Sequence, residues 1–183
     1  MILIMTLPES VTISVERLMR YCYLAEMTLE ACRNVNSKLP LHLTRFGTLA
    51  IESASWLYSL FDDRNDSVNL LKIWRNFEHP FEKDLREFED KLAPFKDELK
   101  LVRHRIGFHG SLTRMAEKEG LGIFDVDSGR ANAFVGIVKD MQLLAVKMIE
   151  WFCCQTIKPD GSRDEEKWHQ FFRELKKFEK SKG

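Results

Sequence analysis

Apolar residues recur at three- and four-residue intervals along most of this chain, and that spacing predicts helices almost from end to end. Between Val11 and Cys32 they fall at Val11, Val15, Leu18, Cys22, Ala25, Leu29 and Cys32, one face of a first long helix. Pro40 suits the first turn of a second helix running to Phe61, with Leu43, Phe46, Ala50, Leu57 and Leu60 or Phe61 turned inward. The polar run from Asp62 to Ser67 stops it, and Asp66 or Ser67 is placed to cap a short helix from Val68 to Phe77. After His79-Pro80, the residues Phe81, Leu85, Phe88 and Leu92 trace another amphipathic helix, and Pro94 predicts a kink before a further helix from Phe95 to about Phe108.

Glycines and turn residues divide the second half of the chain. Gly107 and Gly110 weaken the end of that helix, and Gly120, Gly122 and Asp127-Ser128-Gly129 mark a loop, within which Leu121 to Val126 is the one candidate strand. Asp127 or Ser128 then caps a last core helix through Ala133, Ile137, Met141, Leu144, Met148 and Trp151, ending near Pro159-Asp160-Gly161. Ser162-Arg163-Asp164-Glu165 has capping-box spacing and opens a charged terminal helix whose apolar side is Trp168, Phe171, Phe172 and Leu175. No stretch alternates with period two for long, so the expected fold class is all-α: an up-and-down helical bundle with additional helices. The expected organisation is one domain over 1–183, with a core at about 11–158 and an appended C-terminal helix at 162–180.

Composition narrows the function classes. With 183 residues, 44% of them apolar and 31% charged, the chain is an ordinary globular sequence able to bury about two-thirds of its unfolded surface. Lys+Arg and Asp+Glu both number 28, so no global basic field draws in polyanions and any such binding needs a local patch. Cys22, Cys32, Cys153 and Cys154 have no paired spacing for zinc or thiol exchange. The apolar start, Met1 to Met5, lacks a basic flank and is cut short at Thr6 to Ser10, which predicts a cytoplasmic protein. Met141 to Cys154 carries Lys147 and Glu150 and is too short to span a bilayer, so no membrane partner is expected.

Most standard sites are excluded by spacing. Asp63, Asn65 and Ser67 open like a calcium loop, but Val68 stands where the turn glycine belongs and Trp74 where the bidentate Glu belongs; Asp125, Asp127 and Gly129 fail likewise. There is no glycine-rich phosphate loop, no H-E-x-x-H and no G-x-S-x-G, and neither a metal nor a cofactor is expected. What remains is Arg103-His104-Arg105-Ile106-Gly107-Phe108-His109, two imidazoles and two guanidiniums near a helix end. Cleaving RNA without metal needs a group of near-neutral pKa to move protons and a fixed cation for charge developing on the phosphoryl oxygens. Histidine and arginine supply those two functions. The plainer alternative is that Arg105 and His109, four apart, make surface hydrogen bonds to carboxylates.

Arg103, the polar His104, four further residues and then His109 resemble the signature of the HEPN superfamily of helical domains, many of which are ribonucleases. The resemblance covers roughly residues 15 to 155. Leu60-Phe61-Asp62-Asp63-Arg64-Asn65-Asp66-Ser67-Val68-Asn69-Leu70-Leu71 between two helices, followed by the Arg-His motif on a later one, looks like the abortive-infection (Abi-type) branch. The resemblance implies a metal-independent endoribonuclease in which Arg103 contacts the scissile phosphate, His109 transfers protons and His104 orients its neighbours. It also implies a homodimer, since members pair two such motifs across one cleft, and a toxin or phage-defence effector silenced by an antitoxin partner. Residues six apart on a helix do not share a face, so Arg103 and His109 need a distorted helix end, which Gly107 can provide, or a second copy to converge.

A reading from another class is a catalytically silent helical module that binds a protein partner or nucleotide through the same concave region. Trp56, Trp74, Trp151 and Trp168 fit core stripes better than base-stacking platforms. The charged run from Glu82 to Lys100 reads as a solvated face, with docking of a basic antitoxin as its functional alternative. The terminal helix is basic in its last turns, which suits the helix dipole better than a phosphate contact.

Overall fold

In a computed structural model, which describes residues 7–36, 38–62, 69–103 and 129–181, the apolar periodicity becomes seven helices among the described residues. These are α1 (Leu7–Arg33), α2 (Pro40–Leu60), α3 (Leu70–Trp74), α4 (Glu82–Leu92), α5 (Lys96–Leu101), α6 (Gly129–Thr156) and α7 (Glu165–Ser181), with a 3₁₀ turn at Ala93–Phe95 between α4 and α5. An isolated bridge between Ile157 and Arg163 is the only strand-like pairing among the described residues. The chain is thus an all-α helical bundle. No helix among the described residues is long and apolar enough to cross a membrane.

The centre of the bundle is α1, which packs against α2, α3, α6 and α7. It runs antiparallel to α2, since Thr28 Oγ1 lies 2.8 Å from Ser53 Oγ while Arg17 reaches Ser59. It runs antiparallel to α6 as well. Glu26 accepts from Gln142 at 3.0 Å, while Trp74 bridges Ser14, twelve residues earlier on α1, to Trp151, nine residues later on α6. Being sandwiched widens the buried face of α1. Val11, Val15, Leu18, Tyr21 and Ala25 are buried, whereas Cys22, Leu29 and Cys32 pack half-buried at its margin.

On α2, Phe46, Ala50, Leu57 and Leu60 are buried, with Phe61 just beyond, but Leu43 is 37% exposed. The pairing of Arg45 with Glu30 at 3.6 Å sets Leu43, two residues earlier on α2, near the last turn of α1. The fully buried Trp74 anchors an aromatic cluster with Phe77, Phe81 and Trp151, their ring centroids 5.1 to 6.0 Å from its own. Phe171 of α7 extends the cluster through Trp151 at 5.7 Å, and Phe152 meets Trp168 at 6.1 Å. Each such fully buried side chain contributes on the order of 1.5–3 kcal/mol of transfer free energy.

Helix ends depart from the expected caps in two places. The short helix starts at Leu70, with Asn69 as its cap: the Asn69 side chain accepts from the Lys72 amide at 3.1 Å. Asp66 and Ser67 lie outside the described residues. At α7 the cap is Asp164, which accepts from the Lys167 amide at 3.1 Å, because Ser162 turns back to Asp160 with its amide and hydroxyl. That turn needs Gly161, at φ 83, a backbone conformation costly for residues with a Cβ. The side chain of Leu175 lies outside the described set. Pro94 produces the anticipated break as the 3₁₀ turn, and Arg130 at the start of α6 holds it by donating to the Pro94 carbonyl at 3.0 Å and pairing with Glu98.

Candidate functional site

Two polar stripes face each other between α1 and α2. On α1, Ile13, Arg17 and Arg20 stand four and three residues apart; on α2, Glu52, Ser55, Trp56 and Ser59 follow the same rule, so each set lies on one side of its helix. Antiparallel packing brings the stripes together around a cleft of about 380 Å³, and Arg103 closes one side of it.

The end of α5 places Arg103 there. The helix Lys96–Leu101 buries Leu99 and is followed by Val102, also buried, and at Val102–Arg103 the α pattern widens into a π turn. With the apolar pair turned into the core, Arg103 stands half-buried at the cleft. Of the residues singled out in the sequence motif, Arg103 is therefore positioned at a polar concavity, while His104 and His109, with Arg105 and Gly107, lie outside the described residues. So does the segment Leu121 to Val126.

Arg17 organises the cleft floor. Its guanidinium donates to Ser59 Oγ at 2.6 Å and sits 5.8 Å from the centroid of the Trp56 ring. Ser59 in turn donates to the Trp56 carbonyl at 2.8 Å. Burial pushes the Arg17 guanidinium below its ordinary value, the charge of Arg103 pushes the same way, and Asp62 opposes both. At Arg17 the like charge of Arg103 thus adds to the effect of burial, and Asp62 compensates in part. Arg20 and Glu52 are exposed at the rim. Among the described residues, Arg17, Arg20, Arg103 and Glu52 are the charged side chains that line the cleft.

Ser55 adds a different signal. It is 6% exposed, it lines the cleft, and its hydroxyl has no hydrogen-bond partner among the described residues. A buried hydroxyl left unpaired costs about 1–3 kcal/mol. Trp56, expected in the core, is half-buried and presents part of its indole to the cleft, whereas Trp74 is wholly interior. Sequence reading missed Arg17, Arg20, Ser55 and Ser59. The signal that would have found them is the polar stripe beside the apolar one on α1 and α2, repeating at the same helical spacing.

Other concavities have different chemistry. A cleft of about 410 Å³ between the start of α1 and α7 is mainly apolar, with Pro8, Ile13, Trp168 and Phe172 among its walls. One of about 180 Å³ between α4 and α6 mixes Asp84, Glu87 and Asp140 with Lys91 and Lys147, and the Lys91–Asp140 pair spans it at 2.7 Å. The Glu82–Lys100 face is laced with surface pairs such as Glu82–Arg86 at 2.6 Å and Arg75–Glu89 at 3.3 Å. No group of three or more His, Cys, Asp or Glu side chains gathers in a metal-holding arrangement among the described residues. Compared with protein families, curated proteins and solved structures, the chain finds no match in any of the three.

Proposed function

We propose that this protein is a metal-independent endoribonuclease of HEPN type, acting as a homodimer and serving as a toxin or phage-defence effector. The observation that carries the reading is the position of Arg103, the first residue of the Arg-His motif, in an arginine-lined cleft on an all-α bundle. The π turn at Val102–Arg103 supports it further, because the helix departs from α geometry where the motif begins. In this mechanism an imidazole takes the proton of the ribose 2′-hydroxyl, whose oxygen attacks the adjacent phosphorus. The bond to the 5′-oxygen breaks as that oxygen is protonated, leaving a 2′,3′-cyclic phosphate and a 5′-hydroxyl. His109 supplies proton transfer, Arg103 the fixed positive charge on the phosphoryl oxygens, and His104 orients the pair.

The test is incubation with total RNA in the presence of a chelator, beside Arg103→Ala and His109→Ala. Cleavage to cyclic-phosphate ends is expected from the unmodified protein, with a loss of about 100-fold or more in either variant and a similar melting temperature. Cleavage retained in both variants, or cleavage that the chelator abolishes, overturns the reading. A second reading, a silent module that binds a nucleotide, is favoured by one observation: the cleft between α1 and α2 is furnished with Arg17, Arg20 and Ser55 independently of either histidine. Binding of RNA with no cleavage under any condition selects it.

A further inference from the structure

We infer that the outward face of α6 is where a second copy of this chain docks, antiparallel and related by a twofold axis at the level between Leu144 and Ala145. That this pairing is the dimer of the ribonuclease rests on the reading above; the surface itself rests on α6 and α1 alone. The exposed large apolar side chains among the described residues fall into two groups. Leu39, Leu41 and Leu43 stand at the start of α2, whereas Met19 and Tyr23 of α1 adjoin Leu143 and Val146 of α6. The second group is one patch, because Cys22 and Glu26, on the same side of α1 as Met19 and Tyr23, both reach Gln142. A contiguous exposed apolar patch marks an interaction surface.

The pattern of α6 chooses the occupant. Gly136, Lys139, Leu143, Val146, Glu150 and Cys153 follow at alternating steps of three and four, the seam spacing of paired helices, on the side opposite to the buried Met141 and Met148. Turned end for end, this seam matches itself. Lys139 meets Glu150 of the second copy, Leu143 meets Val146, and the small Gly136 meets Cys153, all about one midpoint. Within one chain Lys139 and Glu150 are roughly 16 Å apart along the helix axis and do not reach each other. A parallel copy would set Lys139 against Lys139 and Glu150 against Glu150, so the charges select the antiparallel sense. Met19 and Tyr23 flank the seam and widen its apolar centre. The Arg103 cleft lies between α1 and α2, on the other flank of α1, and docking at α6 leaves it open.

Sedimentation velocity of the full chain over about 1–200 µM reads the association, and a reversible dimer with a dissociation constant on the order of 10 µM is expected from so short an apolar centre. Leu143→Gln replaces an exposed side chain and spares the fold of the single chain; it should weaken the dimer at least about tenfold, since each dimer loses two apolar contacts. Lys139→Glu and Glu150→Lys should each weaken it severalfold, because every dimer then opposes two pairs of like charge. Combining both substitutions in one chain should restore association, and so should an equimolar mixture of the two single variants, whose mixed dimers regain both opposite-charge pairs. Such recovery requires Lys139 to face Glu150 of another chain. A monomer throughout the range, a dimer indifferent to Leu143→Gln or to the single reversals, or a double variant as weak as the single ones overturns the proposal. A dimer that obeys these substitutions but cleaves no RNA retains the interface and removes the ribonuclease reading. Cleavage by a protein whose association ignores them overturns the interface and leaves that reading standing.

Discussion

His79 shows how one side chain can be fixed by its surroundings in a protonation state. The ring is 2% exposed among Trp74, Phe77 and Phe81, and its Nδ1 accepts the Phe81 amide N–H at 3.0 Å. A proton on Nδ1 would remove that acceptor and place a charge in an aromatic box. Burial accordingly pushes the imidazole below its ordinary value, against smaller opposing effects of the Trp74 carbonyl and Glu82. The unfolded chain then binds more protons than the folded one below about pH 6.5, so stability is full above that value and declines as pH falls toward the folded-state value. The melting temperature should therefore drop between pH 7 and pH 5. His79→Phe keeps the ring and strands the Phe81 amide, a loss of about 1–3 kcal/mol at any pH, but its melting temperature should be nearly flat across that interval. An unchanged slope in the variant would assign the titration to another group.

The helices themselves are readable in the sequence because amphipathic spacing is a local property that survives packing. Pro40 and the break at Pro94 are readable for the same reason, since proline acts on its own backbone. Caps are less so: Ser162 has the right chemistry and spacing, but the Asp160 carboxylate engages it and leaves the role to Asp164. At α3 the competition is decided by tertiary contact. Asn69 is buried, caps Lys72, and donates its amide to the Asp62 carbonyl at 3.0 Å, so a single side chain starts one helix and ties it to the chain leaving the previous one. Asn69→Ala removes both bonds and should cost about 2 kcal/mol in urea denaturation. Asn69→Asp keeps the capping acceptor and loses the donor, so it should recover part of that loss; equal loss in both variants would mean that the tie to Asp62 carries the effect.

The candidate site is legible only where its parts are local. Arg103 announces itself beside two histidines, but Arg17 and Arg20 lie on the first helix and Ser55, Trp56 and Ser59 on the second, and only antiparallel packing makes them one surface. Nothing in a linear pattern specifies which polar stripe will face another. The same limit applies one level up, to pairing of two chains. Six residues along a helix turn through roughly 600°, so Arg103 and His109 point apart on a regular helix and the proposed chemistry is best served by facing copies. A mixing experiment decides it. If each site takes Arg103 from one subunit and His109 from its partner, then Arg103→Ala and His109→Ala proteins, each inactive alone, should regain about a quarter of full activity when re-associated in equal amounts, because half of the dimers are mixed and each mixed dimer holds one intact site of two. If both groups act within one chain, no mixed dimer has an intact site and activity stays at the level of the single variants. Sedimentation of the mixture must show dimers in either case, since a monomer that nevertheless cleaves RNA removes the composite site altogether.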